Sequence, residues 1–167
     1  MSGANKVTSI VFAGLGGQGV LKASDIAAEA AFRAGYDVKK SEIHGMSQRG
    51  GSVASDVRYG AQVLSPMVPA GEADFLVVLD AGQLENNRAV LREGGLLIEP
   101  SRAAAIRLAN RKCLNVALLG VLSASLEIPE AAWLEAIRAQ LPERLHEANL
   151  AAFAAGRSAA GGSGGSR

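Results

Sequence analysis

The 167-residue chain has one cysteine, Cys113. That excludes an internal disulfide, a cysteine-ligated zinc site and an iron–sulfur cluster held by this chain alone. A charge excess is also lacking: 17 basic and 16 acidic side chains leave a formal +1. No long-range field is therefore available to hold a nucleic acid backbone or an anionic membrane surface. Long hydrophobic runs are missing too, since the longest mostly apolar stretches, Val7 to Leu15 and Val116 to Leu126, fall short of the roughly 20 residues needed to cross a bilayer. Neither nucleic acid nor membrane is an expected partner. Gly14, Gly16, Gly17 and Gly19 interrupt the N-terminal apolar run and no small-x-small cleavage site follows it, so no signal peptide is expected and a cytoplasmic location is read. What is present is apolar material, 49% of residues against 20% charged, enough for one well-buried core. From Gly156 onward the composition becomes that of a flexible Gly/Ser/Ala tail, which leaves residues 1–155 as a single domain.

Hydrophobic patterning predicts an α/β fold, with a Rossmann-like, mostly parallel sheet, flanking helices and a helical C-terminal third. Val7 to Ala13 reads as a strand covered on both faces, Val20 to Ala34 as an amphipathic helix stopped by Gly35, and Asp37 to Ser41 as a short second strand. Ser52 to Arg58 alternates and Val63 to Ser65 follows across Tyr59-Gly60-Ala61, which predicts an inserted hairpin. Asp74 to Asp80 is the clearest buried strand; Gln83 to Arg92 reads as a helix, Gly94-Gly95 as punctuation and Leu96 to Glu99 as a further strand. Helices are then expected over Arg102 to Ala109, Val116 to Ser125, Glu130 to Leu141 and Glu143 to Ala155.

Two segments carry the chemistry. Gly14-Leu15-Gly16-Gly17-Gln18-Gly19 is a G-x-G-x-x-G string between a strand and a helix, where glycines permit close backbone approach and the helix start offers free N–H groups to a phosphate. A dinucleotide site also needs an acid closing the second strand, and neither Asp37 nor Glu42 is placed convincingly there. The same glycines could serve strand–helix packing alone. The second segment, Ser41 to Gly51, gathers Glu42, His44, Met46, Gln48 and Arg49 in a glycine-flanked loop. Glu42 and His44 could do acid–base work and Arg49 could fork onto a carboxylate or phosphate. An interface role is favoured, because no nucleophile or metal cluster accompanies them. Cys113 is read as inert packing, His146 as part of a solvated helix face, and Trp133 as the anchor of a helix on the core.

Taken together, G-L-G-G-Q-G-V-L-K-A-S at Gly14 to Ser24 and S-E-I-H-G-M-S-Q-R-G-G-S-V at Ser41 to Val53 resemble the gamma-type subunit of the 2-oxoacid:ferredoxin oxidoreductases. The wording, with Val57-Arg58 and Leu64-Ser65-Pro66, is most similar to the indolepyruvate ferredoxin oxidoreductase beta subunit and to aryl-2-oxoacid relatives such as phenylglyoxylate dehydrogenase. The similarity runs on through Ala73-Asp74, Gly94-Gly95, Asn115, Leu119-Gly120 and Asn149 to Gly156. One stretch departs, because the family commonly has a longer segment with an additional strand between Ile98 and Asn115, and a strand is expected to be missing at the sheet edge.

The resemblance implies a subunit of an enzyme that oxidatively decarboxylates a 2-oxoacid on thiamine diphosphate and Mg2+. Electrons would pass through iron–sulfur clusters to ferredoxin or another acceptor, and the acyl group to coenzyme A. With no G-D-G…N pattern and a single cysteine, the cofactors are expected on partner subunits, and this chain is expected to hold no metal and no catalytic residue of its own. By similarity, Glu42, His44, Met46, Gln48 and Arg49 would face the large subunits near the active site. The Gly14 to Gly19 turn would join that interface or approach a phosphate of coenzyme A. The alternative is a free-standing Rossmann-type nucleotide-binding module.

Overall fold

The computed structural model describes residues 6–44 and 51–162. The chain opens with strand β1 (Val7–Leu15), a glycine turn and helix α1 (Val20–Arg33), followed by β2 (Asp37–His44) and β3 (Ser52–Gly60). Next come β4 (Ala73–Val78), the short helix α2 (Leu84–Asn87) between single 3-10 turns, and β5 (Leu91–Ile98). Helices α3 (Leu114–Ser123), α4 (Glu130–Gln140) and α5 (His146–Gly162) complete the described chain. The five strands form one sheet in the order β2-β3-β1-β4-β5. β1, β4 and β5 are mutually parallel, and β3 runs antiparallel to both of its neighbours. The expected α/β architecture with flanking helices and a helical C-terminal region is therefore the observed one.

Alternation along β1 divides the core. Ile10 and Phe12 point to the face covered by helices, with Val57, Tyr59 and Val77 beside them, while Val11 and Ala13 point to a smaller cluster with Leu76, Val78 and Val68. Helix α1 buries Val20, Ala23, Ile26, Ala27, Ala30 and Ala31 at helical spacing against the first face. Helix α3 is apolar on every side and buried over nearly its whole length. It meets α5 closely enough that a Cβ on Gly120 would run into the Phe153 carbonyl and one on Gly156 into the Ala117 carbonyl. Trp133, fully buried as expected, stacks on Phe153 at 5.7 Å between ring centres. Burial of such a side chain contributes on the order of 2–3 kcal/mol.

The structure corrects several boundaries. The hairpin pairs β3 with β2, not with residues 63–65, and β2 runs three residues past Ser41 because its register with β3 continues to His44 opposite Val53. Residues 61–65 form no strand. That segment is pinned instead by polar side chains: Val63 N–H donates to Asp37 at 2.7 Å, Val68 N–H to Asp56 at 2.9 Å, and Arg58 reaches the Ser65 and Met67 carbonyls. Gln83 to Arg92 holds only one short α-turn, since Leu91 must already pair with Ala73 at the start of β5. Gly94-Gly95 lies inside β5, where the register with β4 shifts and Gly94 takes φ +78°. Of the helix expected over Arg102 to Ala109 only a 3-10 turn, Pro100–Ala103, is present, with Ala103 seated in the core. β5 is the sheet edge and no strand follows it among the described residues. Residues 156–162, assigned by composition to the tail, continue α5, because Gly156 is what lets α5 approach α3.

Candidate functional site

From β1 the chain crosses through α1 toward β2 and β3; from β4 it turns the other way, to β5. The two connections diverge between the C-terminal ends of β1 and β4, which is where open α/β sheets place a ligand crevice. The glycine turn lies at that point. Gly17 and Gly19 adopt φ of +91° and +82°, and a Cβ on Gly19 would overlap the Asn115 side chain, whose amide donates to the Gly19 carbonyl at 3.2 Å. A Cβ on Gly14 would come within 2.8 Å of Val20 Cγ2. Gly14 and Gly19 are thus needed for packing, while Gly17 has open space around it.

Gln18 faces inward. Its Oε1 accepts from the Leu15 N–H at 2.7 Å and its Nε2 donates to Asp80 Oδ1 at 3.0 Å, while Asp80 Oδ2 accepts from the Gly82 N–H at 3.0 Å. The side chain of Gln18, counted among the phosphate candidates, is committed to holding the turn. What the turn leaves to a ligand is backbone. Gly19 caps α1 without any side-chain bond, so the first N–H groups of the helix have no side-chain acceptor and carry its positive dipole end. Two shallow clefts flank the turn. One of about 450 Å3 is bordered by Gly16, Gly17, Leu21, Lys22 and Val53, and one of about 340 Å3 by Gly17, Gln18, Arg111, Lys112 and Leu114. Lys22 donates to the Gln140 carbonyl at 3.1 Å, but Arg111 and Lys112 form no ion pair among the described residues.

The second sequence segment arrives at the same end of the sheet. Leu15 is paired with Ser52, and the Gly16 N–H donates to the Gly51 carbonyl at 2.9 Å, so the start of β3 lies beside the glycine turn. Ser52 Oγ also donates to Gln83 Oε1 at 2.8 Å, tying β3 to the turn after β4. Glu42 accepts from Lys40, which also donates to Asp25 on α1. Burial opposes charge on Lys40, but the hydrogen bonds to Asp25 and Glu42 outweigh it and the ammonium pKa is raised. The backbone of His44 closes β2. Met46, Gln48 and Arg49 lie outside the described residues.

Patterning alone missed Asp80, Gln83, Arg111 and Lys112. Asp80 carried a usable signal, since it is an acid ending the clearest buried parallel strand. Arg111 and Lys112 precede α3, about 90 residues from the turn they border. Burial raises the Cys113 thiol, in keeping with inert packing. Half-exposed His146 does more than line a solvated face: its Nε2 lies 2.7 Å from the Leu141 carbonyl and 3.0 Å from that of Arg138, so it also closes the end of α4. No cluster of three His, Cys, Asp or Glu able to hold a metal occurs among the described residues. No helix there is long and apolar enough to cross a membrane.

The sequence profile of the pyruvate ferredoxin/flavodoxin oxidoreductase family matches residues 9–104 and 99–159. The chain belongs to this family. Among its relatives, an indolepyruvate oxidoreductase subunit, IorB, of Thermococcus kodakarensis is 43% identical over 97 residues, covering 58% of this chain and 48% of that one. The chain thus spans about half the length of this relative. The Methanothermobacter thermautotrophicus IorB is 31% identical over 91% of this chain and 97% of its own length. Among family structures, the gamma subunit of a keto/oxoacid ferredoxin oxidoreductase from Geobacter sulfurreducens superposes with a TM-score of 0.78 at 26% identity, over 93% of this chain and 99% of that one. The gamma-type resemblance read from the two motifs is borne out.

Proposed function

We propose that the chain is the small subunit of a multi-subunit, thiamine diphosphate-dependent 2-oxoacid oxidoreductase. The substrate is an aryl 2-oxoacid of the indolepyruvate or phenylglyoxylate kind, and the product its acyl-coenzyme A. Electrons leave through iron–sulfur clusters on partner subunits to ferredoxin or another acceptor. The observation that carries this reading is the convergence of the described ends of both family motifs on one end of the sheet, with the start of β3 set against the glycine turn by the Gly16–Gly51 hydrogen bond. That end is the face offered to the larger subunits, with Glu42, His44, Met46, Gln48 and Arg49 forming the contact. The first N–H groups of α1 on one side of the glycine turn, and Arg111 and Lys112 on the other, have the donor and charge chemistry for a phosphate of coenzyme A. Coenzyme A supplies the thiol that takes up the acyl group; this chain orients its phosphate. A lone buried Cys113 does not fit an iron–sulfur cluster and the sequence has no G-D-G…N pattern for thiamine diphosphate, so both are assigned to the partners. Alone, the chain is inactive.

Anaerobic affinity purification of the tagged chain from its host, with native mass spectrometry, tests the assignment. A co-purifying thiamine diphosphate-binding subunit and cysteine-rich subunits are expected; recovery of the chain alone would overturn it. In the purified complex, replacing Arg111 and Lys112 by alanine should raise KM for coenzyme A about tenfold with kcat and the KM for the 2-oxoacid little changed. An unchanged KM for coenzyme A would remove these two residues from the phosphate site. Tight NAD binding by the isolated chain in calorimetry would instead favour a nucleotide-binding module.

A further inference from the structure

At the opposite end of the sheet, Tyr36, Tyr59, Phe75, Arg92 and Glu127 contribute the walls of a further cleft of about 360 Å3 together with the chain entering β1. Its volume lies within the roughly 300–1,000 Å3 of small-molecule sites. One wall is aromatic, with Tyr36 and Tyr59 at 5.0 Å between ring centres and Phe75 beside them. The rest carries charge of both signs: Lys6 and Arg92 against Asp74 and Glu127.

Those charges are arranged unequally. Arg92 is fixed in place, its Nε donating to Asp74 Oδ1 at 2.8 Å and its Nη1 to the Glu93 carbonyl at 2.9 Å, while Asp74 Oδ2 is held by the Ser9 N–H at 2.8 Å. Arg92 Nη2 makes no hydrogen bond among the described residues. Lys6 and Glu127 border the same cleft with opposite signs, yet neither forms an ion pair there, with the other or with any described residue. Burial pushes the Tyr59 phenol up to about 12, so that ring adds no charge to the aromatic wall. A cation would meet Lys6 and Arg92, and an anion Glu127; a molecule carrying both charges beside a flat apolar group satisfies every wall.

We propose that this cleft binds an aromatic α-amino acid. Its carboxylate lies toward Lys6 and Arg92 Nη2, its ammonium toward Glu127, and its ring against Tyr36 and Phe75. The cleft lies at the far end of the strands from the glycine turn, so this ligand is distinct from anything bound at the switch point and does not depend on the proposed function.

Calorimetric titration of the full chain with L-phenylalanine and L-tryptophan, alongside phenylpropanoate and phenethylamine, which each lack one charge, tests the proposal. Binding of the amino acids is expected, with each single-charge analogue at least about tenfold weaker. Lys6→Ala and Glu127→Gln, both at exposed positions, should each weaken the amino acid about tenfold. Glu127→Gln should also abolish the preference over phenylpropanoate. Absence of binding up to on the order of 10 mM amino acid would overturn the site, as would equal affinity for the analogues or unchanged affinity in both variants.

Discussion

Gln18 and Asp80 join the ends of two parallel strands: the amide of one donates to the carboxylate of the other at 3.0 Å across the crevice between β1 and β4. The pair does two jobs, because Asp80 also caps the following 3-10 turn through Gly82, and Gln18 also accepts from Leu15. The shape of the glycine turn therefore depends on a residue 62 positions away.

Asp80→Ala removes the cap and leaves the Gln18 amide without its acceptor. Each loss costs about 1 kcal/mol, so a total of about 1–2 kcal/mol is expected. Asp80→Asn keeps an oxygen for Gly82 and should cost less. Urea denaturation of the two variants measures this, and a lower midpoint with unchanged slope is expected for Asp80→Ala. Equal midpoints for Asp80→Ala and the parent chain would remove the pair from the account of the turn.

The contact between α3 and α5 rests on reciprocal glycines. A Cβ at Gly156 would fall on the Ala117 carbonyl, and one at Gly120 on that of Phe153, both backbone atoms that cannot rotate away. Gly156→Ala and Gly120→Ala should each destabilise by more than about 2 kcal/mol, at the upper end of overpacking costs. Gly161→Ala, in the same helix but with open space around it, should be neutral or stabilise by up to about 1 kcal/mol. Thermal unfolding of the three variants separates a packing role for α5 from a tail that merely extends the helix.

That tail shows where the sequence was legible and where it was not. Buried strands such as Val7 to Ala13 and Asp74 to Asp80 declare themselves, because burial on both faces leaves a run of apolar residues and nothing else. β2 is an edge strand, and its charged Lys39, Lys40 and Glu42 disguise the last three residues of its pairing with β3. A glycine in a helix–helix contact reads as a linker glycine, since its meaning lies in Ala117, which composition does not reveal. The glycine turn was visible as a motif. That Gln18 is its internal brace, and that Arg111 and Lys112 border it, follow only from the fold.

Gly17 and Gly19 are both left-handed but differ in surroundings. Gly17→Ala meets only backbone strain and should cost about 1–2 kcal/mol, whereas Gly19→Ala also drives a methyl into Asn115 and should cost more. Asn115→Ala clears that space while losing the hydrogen bond to the Gly19 carbonyl. The double variant Gly19→Ala/Asn115→Ala should therefore be more stable than the sum of the single changes predicts, by about 1 kcal/mol in a denaturation cycle. Strict additivity would show that Asn115 moves aside freely.

Asp56 supplies a pH-dependent test of the 63–68 segment. Burial raises its carboxyl above the ordinary 3.8, and the hydrogen bond from Val68 and the nearby Arg58 only partly oppose this. The folded state thus holds the Asp56 proton more tightly than the unfolded chain does. The contribution of this group to stability is fully present below its ordinary value and is lost as pH rises through the raised folded value. Asp56→Asn keeps an acceptor for Val68 but does not titrate. The stability of the parent chain minus that of Asp56→Asn, from urea denaturation at a series of pH values, should therefore fall as pH rises above 3.8 and then level off toward neutrality. A difference that stays constant, or grows with pH, would mean that the carboxylate is stabilised in its charged form and that Arg58 and Val68 outweigh its burial.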